Sequence, residues 1–385
     1  MVAVLKGCTL VLLELIKVLF CSWANVFLIF VPAGFAVNYT HQNSSLIFAI
    51  NFIAVVGPSA VLEFAVKEIQ RRFAPLIGNV VSVTFSNAVQ LITSILLLKT
   101  RQTQVLQTSL VGSLLSNMHL MLGLGFFIGG LKYSRQIFST AVSKESGSLL
   151  LLAVLSMIIP TASRQLSGAP ESGIINQSRG SAVTLLIIYL FSLYFQLRSH
   201  KDLWADADDD LADSEIMETS EESEEHCLDP PHTATMFIAL IIATTLIGFH
   251  TTFATDNLSN LMNEANLSST FVGVVILPIL SNDLGPIKAA WEDRMDECIT
   301  STIGKCIQMS LLVVPLIIFI AWGMGVDEMT LNFGGFEVAT LFASSLYVNF
   351  MILDGTSNYF EGVALIGLFV IISISAYYIP GAGSV

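Results

Sequence analysis

Apolar residues along this chain gather into long blocks separated by short polar connections. The blocks run over 24–38, 44–66, 75–98, 106–129, 147–163, 180–197, 233–252, 269–290, 300–323, 333–352 and 359–380. Most are long enough to cross a hydrocarbon core of about 30 Å as a helix. The pattern predicts an all-α membrane protein with about 11 transmembrane helices. Two blocks carry interruptions that a lipid-facing helix does not tolerate. In "VVILPILSNDLGPIKAAW" the apolar run meets Ser281, Asn282 and Asp283, then Gly285 and Pro286, and then resumes. Irregular backbone at membrane depth is stable only where it is buried in protein or lines a cavity.

Composition agrees: 54% of the 385 residues are hydrophobic and 12% charged. Glu14 and Lys17 sit inside the apolar segment "LVLLELIKVLF" without a small-residue cleavage site, which predicts an interfacial amphipathic helix, not a removable signal. The five cysteines lack metal-ligand spacing and read as small buried hydrophobes. The formal charge of −13 is concentrated in one segment, 206–229, which holds twelve acidic residues and no Lys or Arg. Its run Asp206, Asp208, Asp209 and Asp210 is a weak candidate for loose cation binding, and a solvated linker is the alternative. No cofactor and no nucleic acid partner is expected; the expected partners are the lipid bilayer, a cation such as Ca2+, and protons.

Basic residues favour the connections after the second, fourth and sixth blocks, which places the N-terminus in the cytosol. The acceptor sequons at Asn38, Asn43, Asn176, Asn257 and Asn266 then fall in or beside lumenal loops, and the acidic segment is cytosolic. The chain also repeats itself. Ser86-Asn87-Ala88-Val89-Gln90 precedes Gly112-Ser113-Leu114-Leu115-Ser116-Asn117 much as Ser281-Asn282-Asp283-Leu284-Gly285 precedes Gly304-Lys305-Cys306-Ile307-Gln308. An offset of five spans inverts the second copy, an arrangement used by secondary transporters with broken helices meeting near the midplane. The expected organisation is 1–43 (N-terminal helix and first span), 44–198 (first five-helix repeat), 199–232 (acidic cytosolic loop) and 233–385 (second repeat).

Ordered segments over residues 24–380 resemble the vacuolar calcium/proton exchangers of the calcium/cation antiporter superfamily. They include "INFIAVVGPSAVLEFA", "VTFSNAVQLITSILLLK", "TSLVGSLLSNMHLMLGLGFFIGGLKY" and "VNFMILDGTSNYFEG". The resemblance implies exchange of a divalent cation for protons through one glutamate per repeat, on a Gly-Asn-Ala-x-Glu motif in each broken helix. It also implies an internal, vacuolar membrane. Calcium takes six to eight oxygens and needs charge compensation, and a carboxylate can release it by accepting a proton.

The chain departs from that pattern. Gln90 and Gly285 stand at the two glutamate positions, so both motif carboxylates are absent, and Lys305-Cys306 replaces a small polar pair. The cation cavity implied by the resemblance is Ser86, Asn87, Gln90, Ser113, Ser116, Asn117, Ser281, Asn282, Asp283 and Gln308. Interhelical hydrogen bonding explains several of these equally well. Three residues are candidates for proton or acid–base chemistry. Asp283 is a relocated carboxylate, a partner of Lys305, or a vestibule acid. Lys305 lines the cavity or snorkels. His119 shuttles protons or is a hydrogen-bonded core residue. Asp354 and Glu361 read as capping or loop-ordering residues. Two functions stay open: a cation/proton antiporter with an altered or weakened cation site, and a transport-inactive scaffold. The latter would be a regulatory pseudo-transporter or a membrane enzyme acting on a lipophilic substrate.

Overall fold

The computed structural model describes residues 14, 23–40, 42–73, 75–199, 232–282 and 284–379. Each of the eleven predicted intervals carries helix. Among the described residues, eight helices are long and apolar enough to cross a membrane. The remaining three intervals hold the short first helix and the two interrupted blocks, each of which is broken in two. Large apolar side chains such as Phe191, Ile241, Phe350 and Ile371 stay exposed, as expected of surfaces that meet lipid. The acidic segment, and the N-terminal segment apart from Glu14, lie outside the described residues.

The chain forms two compact units, Met1–Leu96 with Ala212–Ala265 and Leu97–Leu211 with Asn266–Val385. The first contains α1 (Val26–Tyr39), α2 (Ser44–Arg72), α3 (Pro75–Ser86) and most of α4 (Ala88–Lys99). It also contains α8 (Thr233–Asp256) and α9 (Leu258–Glu264). Asn43 starts α2 by accepting a hydrogen bond from the Ser45 amide at 3.2 Å. The helix is interrupted at Val55, because Pro58 has no N–H to return to the Ala54 carbonyl. Inside this unit His250 of α8 meets Asn51 of α2 through its Nδ1, 2.7 Å from Oδ1, and both are fully buried. Gly34 lets α1 close over the pair, since a Cβ there would come within 2.7 Å of Asn51 Oδ1. Glu14 accepts from the His232 amide at 3.0 Å and from the Thr235 hydroxyl at 2.5 Å, so it caps the start of α8.

The second unit contains α5 (Thr103–Lys132), α6 (Thr140–Ser167) and α7 (Glu171–Ser199). The short helix α10 comprises the consecutive segments Ser269–Phe271, Val272–Ile276 and Leu277–Ser281, and α11 follows at Gly285–Trp291. Then come α12 (Met295–Gly323), α13 (Gly335–Met351) and α14 (Tyr359–Tyr378). Two short strands, β1 (Gln136–Ile137) and β2 (Thr356–Ser357), pair antiparallel with Gln136 opposite Ser357. The loop between α12 and α13 folds inward and buries Val326, Leu331 and Phe333. Thr161 of α6 pins it, donating to the Leu331 carbonyl and accepting from the Phe333 amide, each at 2.9 Å. Asp354 orders the turn after α13 by accepting from Thr356, and Asn358 caps α14 by accepting from the Phe360 and Glu361 amides.

Candidate functional site

The two copies of the Ser-Asn motif fall on the two helix breaks. In the first unit α3 ends at Ser86, and Asn87 forms the turn before α4. Asn87 is 1% exposed, and its amide donates to the Val83 carbonyl at 3.3 Å and to Ser86 Oγ at 3.4 Å. Gln90 is 3% exposed, whereas Ser86 is exposed.

In the second unit α10 ends at Ser281, and Asn282 leaves the helix in an extended conformation (φ −79°, ψ 142°). Pro286 then sits in the first turn of α11, where its missing N–H costs nothing. The proline that looks like a breaker in the sequence therefore starts a new helix. Asn282 Nδ2 donates to Ser116 Oγ of α5 at 2.7 Å, and its Oδ1 has no hydrogen-bond partner among the described residues. Helix α5 runs parallel to α10 at close range. Thr108 donates to the Ser269 carbonyl at 3.2 Å, and a Cβ on Gly112 would lie 2.5 Å from both the Gly273 carbonyl and Val274 Cα. Thr108, Gly112 and Ser116 thus form a register that holds the α10 break against α5.

Helix α5 widens into a π-helical turn at Ser116–Met121, and α12 does so at Met309–Val313. Such turns recur at functional sites because they free backbone groups and re-aim side chains. Ser113 and Asn117 satisfy themselves within α5, donating to the Ser109 and Ser113 carbonyls at 2.9 and 2.8 Å. His119, inside the turn, is fully buried, and neither ring nitrogen has a partner among the described residues. Lys305 of α12 is 8% exposed, packed inside the unit. Cys306 beside it donates weakly to the Leu114 carbonyl of α5 at 3.7 Å, and Gln308 is half-buried. Asp283 and the Ser281 side chain lie outside the described residues.

Of the five sequon asparagines, Asn43, Asn176 and Asn266 are exposed, and Asn38 and Asn257 half-buried. No group of three or more His, Cys, Asp or Glu side chains suited to a metal ion occurs among the described residues. Local pattern alone assigns no role to the Asn51–His250 pair or to Glu337, a carboxylate buried at the start of α13.

Broken helices carrying paired motifs, and long helices around them, define a membrane carrier of the cation antiporter class. The chain belongs to the sodium/calcium exchanger protein family, whose model it matches over residues 43–198 and 235–378. It is 30% identical over 370 residues to the vacuolar calcium ion transporter of Schizosaccharomyces pombe, covering 94% of this chain and 87% of that one. It is 34% identical over 364 residues to vacuolar cation/proton exchanger 2 of Oryza sativa subsp. japonica, covering 92% and 81%. The native structure of YfkE superposes with a TM-score of 0.78 at 25% identity, over 92% of this chain and all of the other. The H+/Ca2+ exchanger CAX shares the fold at a TM-score of 0.65 and 16% identity, covering 94% and 92%.

Proposed function

We propose that the protein is a cation/proton antiporter of an internal, vacuolar membrane whose cation affinity is weakened. The observation that carries this is the neutral pair Gln90 and Gly285 at the two motif positions. At about 3 Å and an effective dielectric near 20, one carboxylate gives a divalent ion on the order of 10 kcal/mol before desolvation. If only ~3 kcal/mol net survives for each, losing two weakens binding by roughly 10⁴-fold. Gln90 keeps a carbonyl oxygen but carries no exchangeable charge. The vacuolar membrane is supported by the relatives, and the two stretches matched by the family model support two inverted repeats at 44–198 and 233–385. The one-sided sequons support a cytosolic acidic segment.

Burial of Lys305 favours a second reading, the transport-inactive scaffold, because it places a lysine side chain among the helices of the second unit. Calcium-dependent proton movement in vesicles decides between them, with the Q90E/G285E double variant as reference. The antiporter reading expects weak exchange by the unaltered chain and at least a tenfold gain in the double variant. No exchange by either protein selects the scaffold. Robust exchange by the unaltered chain refutes the charge-loss argument.

A further inference from the structure

Among the described residues, Glu337 is the one buried carboxylate, at 6% exposure. It occupies the third position of α13, and Gly334 is the residue that begins the helix. Its carboxylate folds back against Gly334, where a Cβ would collide with it. The Thr270 side chain, in the first turn of the broken helix α10, hydrogen-bonds the carboxylate. The inward-folded loop that leads into α13 is tied down by Thr161 and by Gln107, whose amide reaches the Thr330 carbonyl at 2.8 Å.

No basic side chain among the described residues pairs with this acid. Arg164 of α6 donates to the Ala169 carbonyl at 2.6 Å. In the loop, Asp327 is paired with Arg179 at 2.7 Å and Glu328 with Arg101 at 3.6 Å. Lys144 and Glu145 of α6, and Asp354 beyond α13, lie at the opposite end, where Asn349 donates to the Gly147 carbonyl at 3.2 Å. Tyr347 is ten residues along α13, about 15 Å away. His119 is twelve residues along α5 from Gln107, about 18 Å. A buried carboxylate without a counter-ion is costly to keep charged in a fixed environment. Such a group exchanges a proton when its surroundings change, as acids do in proton-driven carriers.

We propose that Glu337 is a proton-exchanging carboxylate of the carrier, occluded by the α12–α13 loop and linked through Thr270 to the broken helix α10. In the exchange, a proton from the aqueous side bonds to one carboxylate oxygen, the group becomes neutral, and Thr270 loses its anionic acceptor. The tie between α13 and α10 then weakens, and deprotonation restores it. This rests on the antiporter reading above. A purely capping Glu337 would do none of this, because a glutamine at the third helical position caps nearly as well.

The test is pH-difference infrared spectroscopy of the full-length protein in lipid nanodiscs. A protonated-carboxyl band is expected in the unaltered protein and absent from E337Q, and T270V should shift that band without removing it. Identical spectra for the unaltered protein and E337Q overturn the proposal. In the Q90E/G285E background, E337Q should cut calcium-dependent proton flux at least tenfold while leaving the melting temperature in place. Undiminished flux overturns the coupling role and leaves the antiporter reading intact. Absence of flux from the Q90E/G285E protein itself overturns the antiporter reading, and the infrared comparison still decides whether Glu337 exchanges a proton.

Discussion

Asn282 shows what a single side chain contributes to the break. It leaves α10 in an extended conformation and spends one amide hydrogen on Ser116, 2.7 Å away on α5. A neutral hydrogen bond of this kind contributes about 1 kcal/mol net. A double-mutant cycle with N282A and S116A, read by denaturation in detergent, should therefore give a coupling of ~1 kcal/mol. Additive losses would show that the pair does not hold the break in place. The serine and asparagine were legible as polar residues in apolar blocks, but their mutual bond was not, because 166 positions separate them. His119 is the reverse case. Its sequence position shows a polar ring in an apolar block, and the structure adds that the ring is fully buried, with no hydrogen-bond partner among the described residues.

At the scale of elements, glycines set how closely α5 and α10 approach. The Gly112 Cα faces the Gly273 carbonyl so closely that an added methyl would stand 2.5 Å from it, against backbone that cannot yield like a flexible side chain. G112A should cost roughly 1–3 kcal/mol, as overpacking does, and lower the melting temperature. G180A on α7 is the control, since nothing lies within 4 Å of its added carbon. Equal melting temperatures for the two variants would refute the close crossing. The two broken helices were readable from the repeated Ser-Asn motif, and the second also from Gly285-Pro286, since backbone geometry and proline chemistry are local. The capping role of Glu14 on α8 was not readable, because its partners lie more than 200 residues away.

For the whole molecule, the distribution of sequons and basic residues makes a prediction about sidedness. Cysteine or glycosylation labels placed in 38–43, 165–178 and 253–268 should report the lumen, and labels in 206–229 the cytosol. Lumenal labelling of the acidic segment would invert the orientation. The same segment has too little apolar surface to repay its ordering entropy. Deleting 205–228 should leave the melting temperature unchanged, and aggregation on deletion would mean that it packs on the rest of the chain.

The sequence by itself determined the helical membrane class and the positions of both breaks. Both follow from local pattern: hydrophobic length, helix-breaking residues and the repeated Ser-Asn motif. Tertiary structure alone decided how the helices sort into two compact units, each drawing residues from both halves of the chain. It also decided which polar residues meet: Asn282 with Ser116, His250 with Asn51, and Thr270 with Glu337. A buried contact between distant helices depends on which faces come together, and the hydrophobic pattern of a membrane helix, apolar nearly all round, does not encode that.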